Sequence, residues 1–265
     1  MELVVMSLKI CIPAMAAFLL AACGGDDNSV TDSKNDAISS SSSRKSSGQV
    51  ICKTDSTDTC EYGVLVDDRD GKIYKTVNID GQWWMAENLN YADSIMTPSL
   101  LERTGCYNNE PSNCSEYGRL YTWAAAIDSV KLATDVDNPQ DCGCGKTCSL
   151  PDTVYGICPS GWHLPTRVEW LTLFKAVGGY VIAEKILKSR TGWKDDGNGT
   201  DGVGFSVKPL GGEGEMAHFW SASVFDYRNY YSADCFHLFY SMKLAEVVDC
   251  GKSGSFSVRC LKDSP

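Results

Sequence analysis

Residues Cys158–Trp170 read "CPSGWHLPTRVEW". Two tryptophans, a histidine, a cysteine and a glutamate in one short run suit either a chemical centre or a structural junction. Thr166-Arg-Val-Glu169 has capping-box spacing: the Thr166 hydroxyl accepts from the Glu169 amide, and the Glu169 carboxylate reaches back to the Thr166 amide. Trp170, Leu173, Phe174 and Val177 then recur at helical spacing, and Gly178-Gly179 end the run. A helix with a buried stripe starting at Trp170 follows, with Trp162 and Leu164 packed under the turn that Pro165 fixes. His163 has apolar neighbours and no Asp, Cys or second His at ligand spacing, so it reads as a structural histidine. The stretch is a junction of the fold.

Outward from this helix the pattern is strand and turn. "VLVDDRDGKIYKTVNIDGQWWMAENLNY" (64–91) holds the turns Asp70-Gly71 and Asp80-Gly81 between β-favouring residues, which predicts a β-meander. Trp83 and Trp84 point to opposite faces of such a strand, so a single-sided sheet buries at most one. "RLYTWAAAIDSV" (119–130) predicts a short helix, 131–160 a Cys-, Gly- and Pro-rich loop, and "IAEKILKSR" (182–190) another short helix. "GFSVKPL", "HFWSAS", "YYSADCFHLFY", "KLAEVVDC" and "SFSVRCLKD" read as late strands. Two or three helices flanked by antiparallel strands make an α+β fold.

Thirteen cysteines lie in 265 residues. Local spacing pairs Cys52–Cys60 and Cys106–Cys114. "CGCGKTC" supplies one pair from Cys142, Cys144 and Cys148, taken as Cys144–Cys148, with Cys142 or Cys144 left over; the alternative is a zinc site. Cys158–Cys260 and Cys235–Cys250 complete a disulfide-rich framework, which belongs in an oxidising compartment.

The N-terminus explains that compartment. The apolar run Ile10–Ala22 is too short to span a bilayer comfortably and ends in small residues before Cys23. Leu20-Ala21-Ala22-Cys23 resembles the lipobox of bacterial lipoproteins, which implies removal of residues 1–22 and lipidation of Cys23. Glu2 offsets Lys9 in the n-region, whereas a start at Met6 would leave it basic. Residues 23–49 are Ser-rich with few apolar groups, a flexible tether, and 50–265 suits one domain. Gly24 stands where an inner-membrane retention aspartate would be, and Asp26-Asp27 resemble acidic export signals. The expected address is the bacterial outer membrane, lipid-anchored and facing outward. A net charge of −10 without basic runs argues against nucleic acid as a partner.

The blocks "DRDGKIYKTVNIDGQWWMAENLNY", "GCYNNEPSNCSEYGRLYTWAAA", "GICPSGWHLPTRVEWLTL", "GTDGVGFSVKPLGG", "FWSAS" and "SFSVRCLKD" resemble the Fibrobacter succinogenes major paralogous domain family over about 62–262. Members are secreted or lipid-anchored, and the family's molecular role is undefined. A more distant likeness, over 158–262, is to C-type lectin-like and formylglycine-generating (sulfatase-modifying-factor-like) domains, whose nested disulfides the 158–260 and 235–250 pairs resemble. Fold likeness alone carries no activity.

No catalytic set stands out. His163, His218 and His237 are the only histidines, so a His-based centre would need nearly all of them. A formylglycine-generating thiol oxidase would need Cys250 and Cys260 as its redox pair, at a spacing that departs from that family's pattern. The calcium and sugar motifs of true C-type lectins are missing: "NEPSNC" (109–114) echoes one of them but lies too early. Asp195, Asp196, Asn198 and Asp201 offer oxygens for a calcium ion. Tyr227, Arg228, Tyr230 and Tyr231 form an aromatic loop suited to stacking on sugar or protein. The expectation is a non-catalytic, lipid-anchored envelope binding or adhesion domain for carbohydrate or a surface protein. A thiol oxidase or a purely structural envelope protein is the alternative.

Overall fold

A computed structural model describes residues 51–210, 214–224 and 230–264. The meander forms as its turns dictate: β1 (Tyr62–Val66), β2 (Ile73–Ile79) and β3 (Gln82–Met85) pair antiparallel. Asp80 and Gly81 both take positive φ, 53° and 85°, the conformation of a tight two-residue hairpin turn. Asn78 Oδ1 accepts from the Gly81 amide at 2.9 Å.

Two distant segments complete this sheet. β10 (Leu261–Lys262) lies between β3 and β6 (Trp162–His163), giving the order β1-β2-β3-β10-β6. The end of the chain is therefore laid inside the sheet, beside the "CPSGWH" segment. Cys158–Cys260 fastens it there. A second sheet is β7 (Met216–Trp220), β8 (Ser232–Phe239) and β9 (Glu246–Gly251), all antiparallel. A small ladder joins β4 (Thr104–Gly105) to β5 (Leu120–Tyr121).

Helix α1 is Pro111–Tyr117, α4 is Arg167–Ala176 and α5 is Tyr180–Leu187. The capping box of α4 is complete, with Thr166 and Glu169 in both roles. The single helix expected over 119–130 is instead β5 followed by two short helices, α2 (Trp123–Ala126) and α3 (Ser129–Ala133). Asp128 breaks them apart at φ 53°, where its carboxylate accepts from Ser99 Oγ at 2.6 Å. "GFSVKPL" contributes only a bridge, Lys188 to Val207. "SFSVRCLKD" pairs as a strand only over its last part; Phe256 and Ser257 make isolated bridges.

Helix α4 packs its stripe between the two sheets. Trp170 stands 4.9 Å from Trp84 and 4.9 Å from Phe236, ring centre to ring centre, with Phe205 and Phe219 closing the cluster. Trp84 is fully buried while Trp83 on the opposite face is half-buried. A second cluster gathers Tyr121, Trp123, Leu164 and Trp220. The architecture is α+β and disulfide-rich, and the described residues belong to one compact unit.

Candidate functional site

A trough runs beside β2 and α1. One lobe, about 350 Å³, runs past Tyr74, Asn88, Asn90 and Arg259; the next, about 580 Å³, past Tyr107, Asn113, Arg190 and Pro209. Glu116, Tyr117, Asp201, Ser206 and Lys208 line both lobes, so the two lie side by side. Its α1 wall is held by Cys106–Cys114 and by Gly118, which at φ 74° lies against Asn88 so closely that a Cβ would sit 2.7 Å from that side chain.

The trough's floor is built from buried charge. Arg259 is 2% exposed, and burial pulls its guanidinium below the usual arginine range. It donates to Asn88 Oδ1 at 2.7 Å and to the Phe205 carbonyl. Asp201 takes Lys53 at 2.5 Å, while its other oxygen is buried with no hydrogen-bond partner. At the rim Lys208 sits 3.7 Å from Glu116 and 5.7 Å from the Tyr117 ring centre. Tyrosine faces beside amides, carboxylates and ammonium groups are the equipment for holding a hydroxylated ring, one face stacked and the edges hydrogen-bonded.

A separate hollow of about 340 Å³ lies on the other side of α4. Lys146, Thr147, Leu150, Thr166, Ser223 and Lys252 are among its walls. It shares no residue with the trough.

The four residues named for calcium are placed as follows. Asp201 is committed to Lys53, and Asn198 Oδ1 accepts from the Trp193 amide at 3.0 Å. Asp195 and Asp196 stay exposed in the turn. Among the described residues, the one group of His, Cys, Asp or Glu close enough to share an ion is His218, Cys235 and Cys250. Two of those are joined as a disulfide. His218 Nε2 lies 3.0 Å from His237 Nδ1, and burial, followed by the His237 charge, pushes His218 down to about 4. Burial lowers His237 as well, and the two rings serve as packed, hydrogen-bonded side chains.

His163 is structural, but it has the carboxylates that its sequence neighbours hid. Nδ1 lies 2.7 Å from Asp263 and Nε2 3.0 Å from Glu169. Cys250 and Cys260 are bonded to Cys235 and Cys158, not to each other, so the redox pair of a thiol oxidase does not form. Cys52–Cys60, Cys106–Cys114, Cys158–Cys260 and Cys235–Cys250 are as expected. Cys144–Cys148 is not: Cys148 pairs with Cys142, the partner that a longer loop lets it reach. With Cys142 and Cys148 joined, the three-thiol zinc site does not assemble.

Tyr230 and Tyr231 are exposed, and their carbonyls accept from the Gly145 and Lys252 amides at 2.9 and 2.7 Å. The loop is thus tied to the "CGCGKTC" segment, beside the hollow rather than the trough. Tyr227, Arg228, Cys23 and the tether lie outside the described residues. Sequence reasoning missed the trough because Tyr107, Tyr117 and Lys208 carry no motif. The one signal was "NEPSNC", set aside as too early for a lectin loop, whose Asn113 lines the trough.

The comparisons with known proteins bear on this geometry in one way. The family model of the Fibrobacter succinogenes major domain matches residues 77–262. The chain belongs to that family. The match takes in both sheets' later strands, every helix of the described residues and most of the trough, and it begins inside β2, so β1 and the Cys52–Cys60 hairpin precede it. No curated protein and no solved structure matches the chain. Among the described residues no helix is long and apolar enough to cross a membrane.

Proposed function

We propose that this chain is a non-catalytic binding domain of the bacterial cell envelope, anchored in the outer membrane through lipid on Cys23 and held off it by residues 23–49. Its ligand is a carbohydrate, gripped in the trough. The observation that carries this reading is the adjacency of the two lobes, which share Tyr117, Glu116 and Lys208. An elongated recess with aromatic and amide walls fits a chain of sugar rings better than a single compact substrate. The lipobox and Ser-rich tether support the surface address.

The test is a glycan and polysaccharide array, followed by titration of the best hit with and without calcium. Tyr117→Ala and Asn113→Ala together should weaken binding at least about tenfold, since one stacked ring and one side-chain bond are each worth about 1 kcal/mol or more. Tyr230→Ala with Tyr231→Ala should leave it unchanged. Loss in the second pair and not the first would move the site to the late loop. Failure of every sugar to bind would favour a surface-protein ligand.

A further inference from the structure

Two lysines of the described residues are almost completely buried, and they are treated differently. Lys188 is 0% exposed and is paired with Glu184, with a further bond to the Phe239 carbonyl at 2.9 Å. Lys252 is 3% exposed and has no ion pair. Its ammonium donates once, to the Lys146 carbonyl at 3.2 Å, and lies 4.5 Å from the centre of the Trp123 ring. Burial lowers its pKa, and the exposed Asp249 acts on it only through space.

A buried ammonium without a carboxylate is costly, and proteins retain one where something else supplies the negative charge. Lys252 lines the 340 Å³ hollow. The same walls carry the hydroxyls of Thr147, Thr166 and Ser223 and the apolar Leu150 and Val224. Asp152 and Lys146 stand at the exposed rim, and Lys146 is neutralised by Asp141 at 2.8 Å. Among the described residues that line the hollow's interior, Lys252 is the single charged group.

The fold also fixes Lys252 from both sides of its backbone. Its amide donates to the Tyr231 carbonyl at 2.7 Å, and its carbonyl accepts from the Trp123 amide at 3.4 Å. Trp123 is held in turn by its own Nε1, which donates to the Ser221 carbonyl at 3.0 Å. The backbone of Lys252 is thus fixed, and its ammonium lies over an aromatic floor, tied to the Lys146 carbonyl.

We propose that the hollow is a second binding site, for a small monocarboxylate about the size of one sugar ring, with the Lys252 ammonium as its counter-charge. The Thr147 and Ser223 hydroxyls take the body's polar edge and Leu150 and Val224 its apolar face. A uronic acid has this chemistry. The site is independent of the sugar trough and stands or falls without it.

The experiment is titration of the full chain with glucuronate, glucose and inorganic phosphate, read by tryptophan fluorescence and calorimetry. Glucuronate should bind saturably and glucose should not, and Lys252→Met should weaken glucuronate binding at least tenfold. Because the substitution removes an unpaired buried charge, thermal stability of Lys252→Met should be unchanged or raised. Lys252→Gln serves if the methionine variant misfolds, with the same expected loss of binding. Phosphate binding in place of glucuronate would overturn the carboxylate assignment. Absence of saturable binding of either anion, or a marked drop in stability with binding intact, would overturn the site.

Discussion

The carboxylate of Glu169 that caps helix α4 is also the counter-ion of His163, 3.0 Å from its Nε2. One oxygen accepts from the Thr166 amide and hydroxyl at 2.7 and 2.8 Å, the other takes the imidazole. On its far side the ring meets Asp263 at 2.7 Å. A local helix cap is thereby joined to a chain end 100 residues away.

This trio makes stability depend on pH in a defined window. Burial opposes the imidazolium, but hydrogen bonds to Glu169 and Asp263 outweigh it and hold His163 above its ordinary 6.5. Burial likewise raises Glu169, but the bonds from His163 and Thr166 outweigh it and hold Glu169 below its ordinary 4.5. The His163 contribution is full below pH 6.5 and is lost as pH rises through the higher folded value. The Glu169 contribution is full above 4.5 and is lost as pH falls through the lower one. Both are present between those values. His163→Gln should cost about 1–3 kcal/mol at pH 5.5 and less at pH 8.5. Urea unfolding at the two pH values checks this; an equal loss at both would remove the charge from the account.

Cys158–Cys260 spans 102 residues. In the chain-entropy model a loop of that length contributes about 4–5 kcal/mol. Replacing both cysteines with serine should lower the urea midpoint more than removing Cys106–Cys114, which spans 8. Equal shifts would mean that unfolded-state entropy is not what the long bridge supplies.

Trp170 is fully buried among Trp84, Phe236 and Phe219. Trp170→Ala should cost about 3–5 kcal/mol through lost burial and the cavity left between helix and sheets. Trp83→Ala, on the half-buried face, should cost less. Calorimetric melting of the two variants gives the comparison.

Gly156 has φ 53°, and a Cβ there would sit 2.1 Å from the Ala126 carbonyl oxygen. That oxygen accepts from the Ile157 amide at 3.1 Å, so neither partner can retreat without breaking the bond. Gly156→Ala should destabilise by about 3 kcal/mol or more, whereas Gly161→Ala, also at positive φ but with open space around it, should cost less. Chemical denaturation of both variants separates strain from crowding.

The sequence by itself determined what is local. The capping box, the stripe from Trp170, the Asp80-Gly81 turn and the short-range disulfides depend on residues a few positions apart, whose spacing fixes the geometry. The "CPSGWHLPTRVEW" run was legible as a junction for that reason. Its second half was not: Asp263 comes to His163 only because β10 is laid between β3 and β6, a placement that pays chain entropy for long-range pairing and leaves no periodic trace. The helix expected over 119–130 failed where a tertiary bond, Ser99 to Asp128, won over helix propensity. The trough and the hollow belong wholly to the tertiary structure. Tyr117 meets Lys208 across the trough, and Lys252 settles on Trp123 beside the hollow, through packing between segments about 90 to 130 positions apart. The choice of Cys142 over Cys144 was decided there too, since spacing allowed either and the fold brought one sulfur within reach of Cys148.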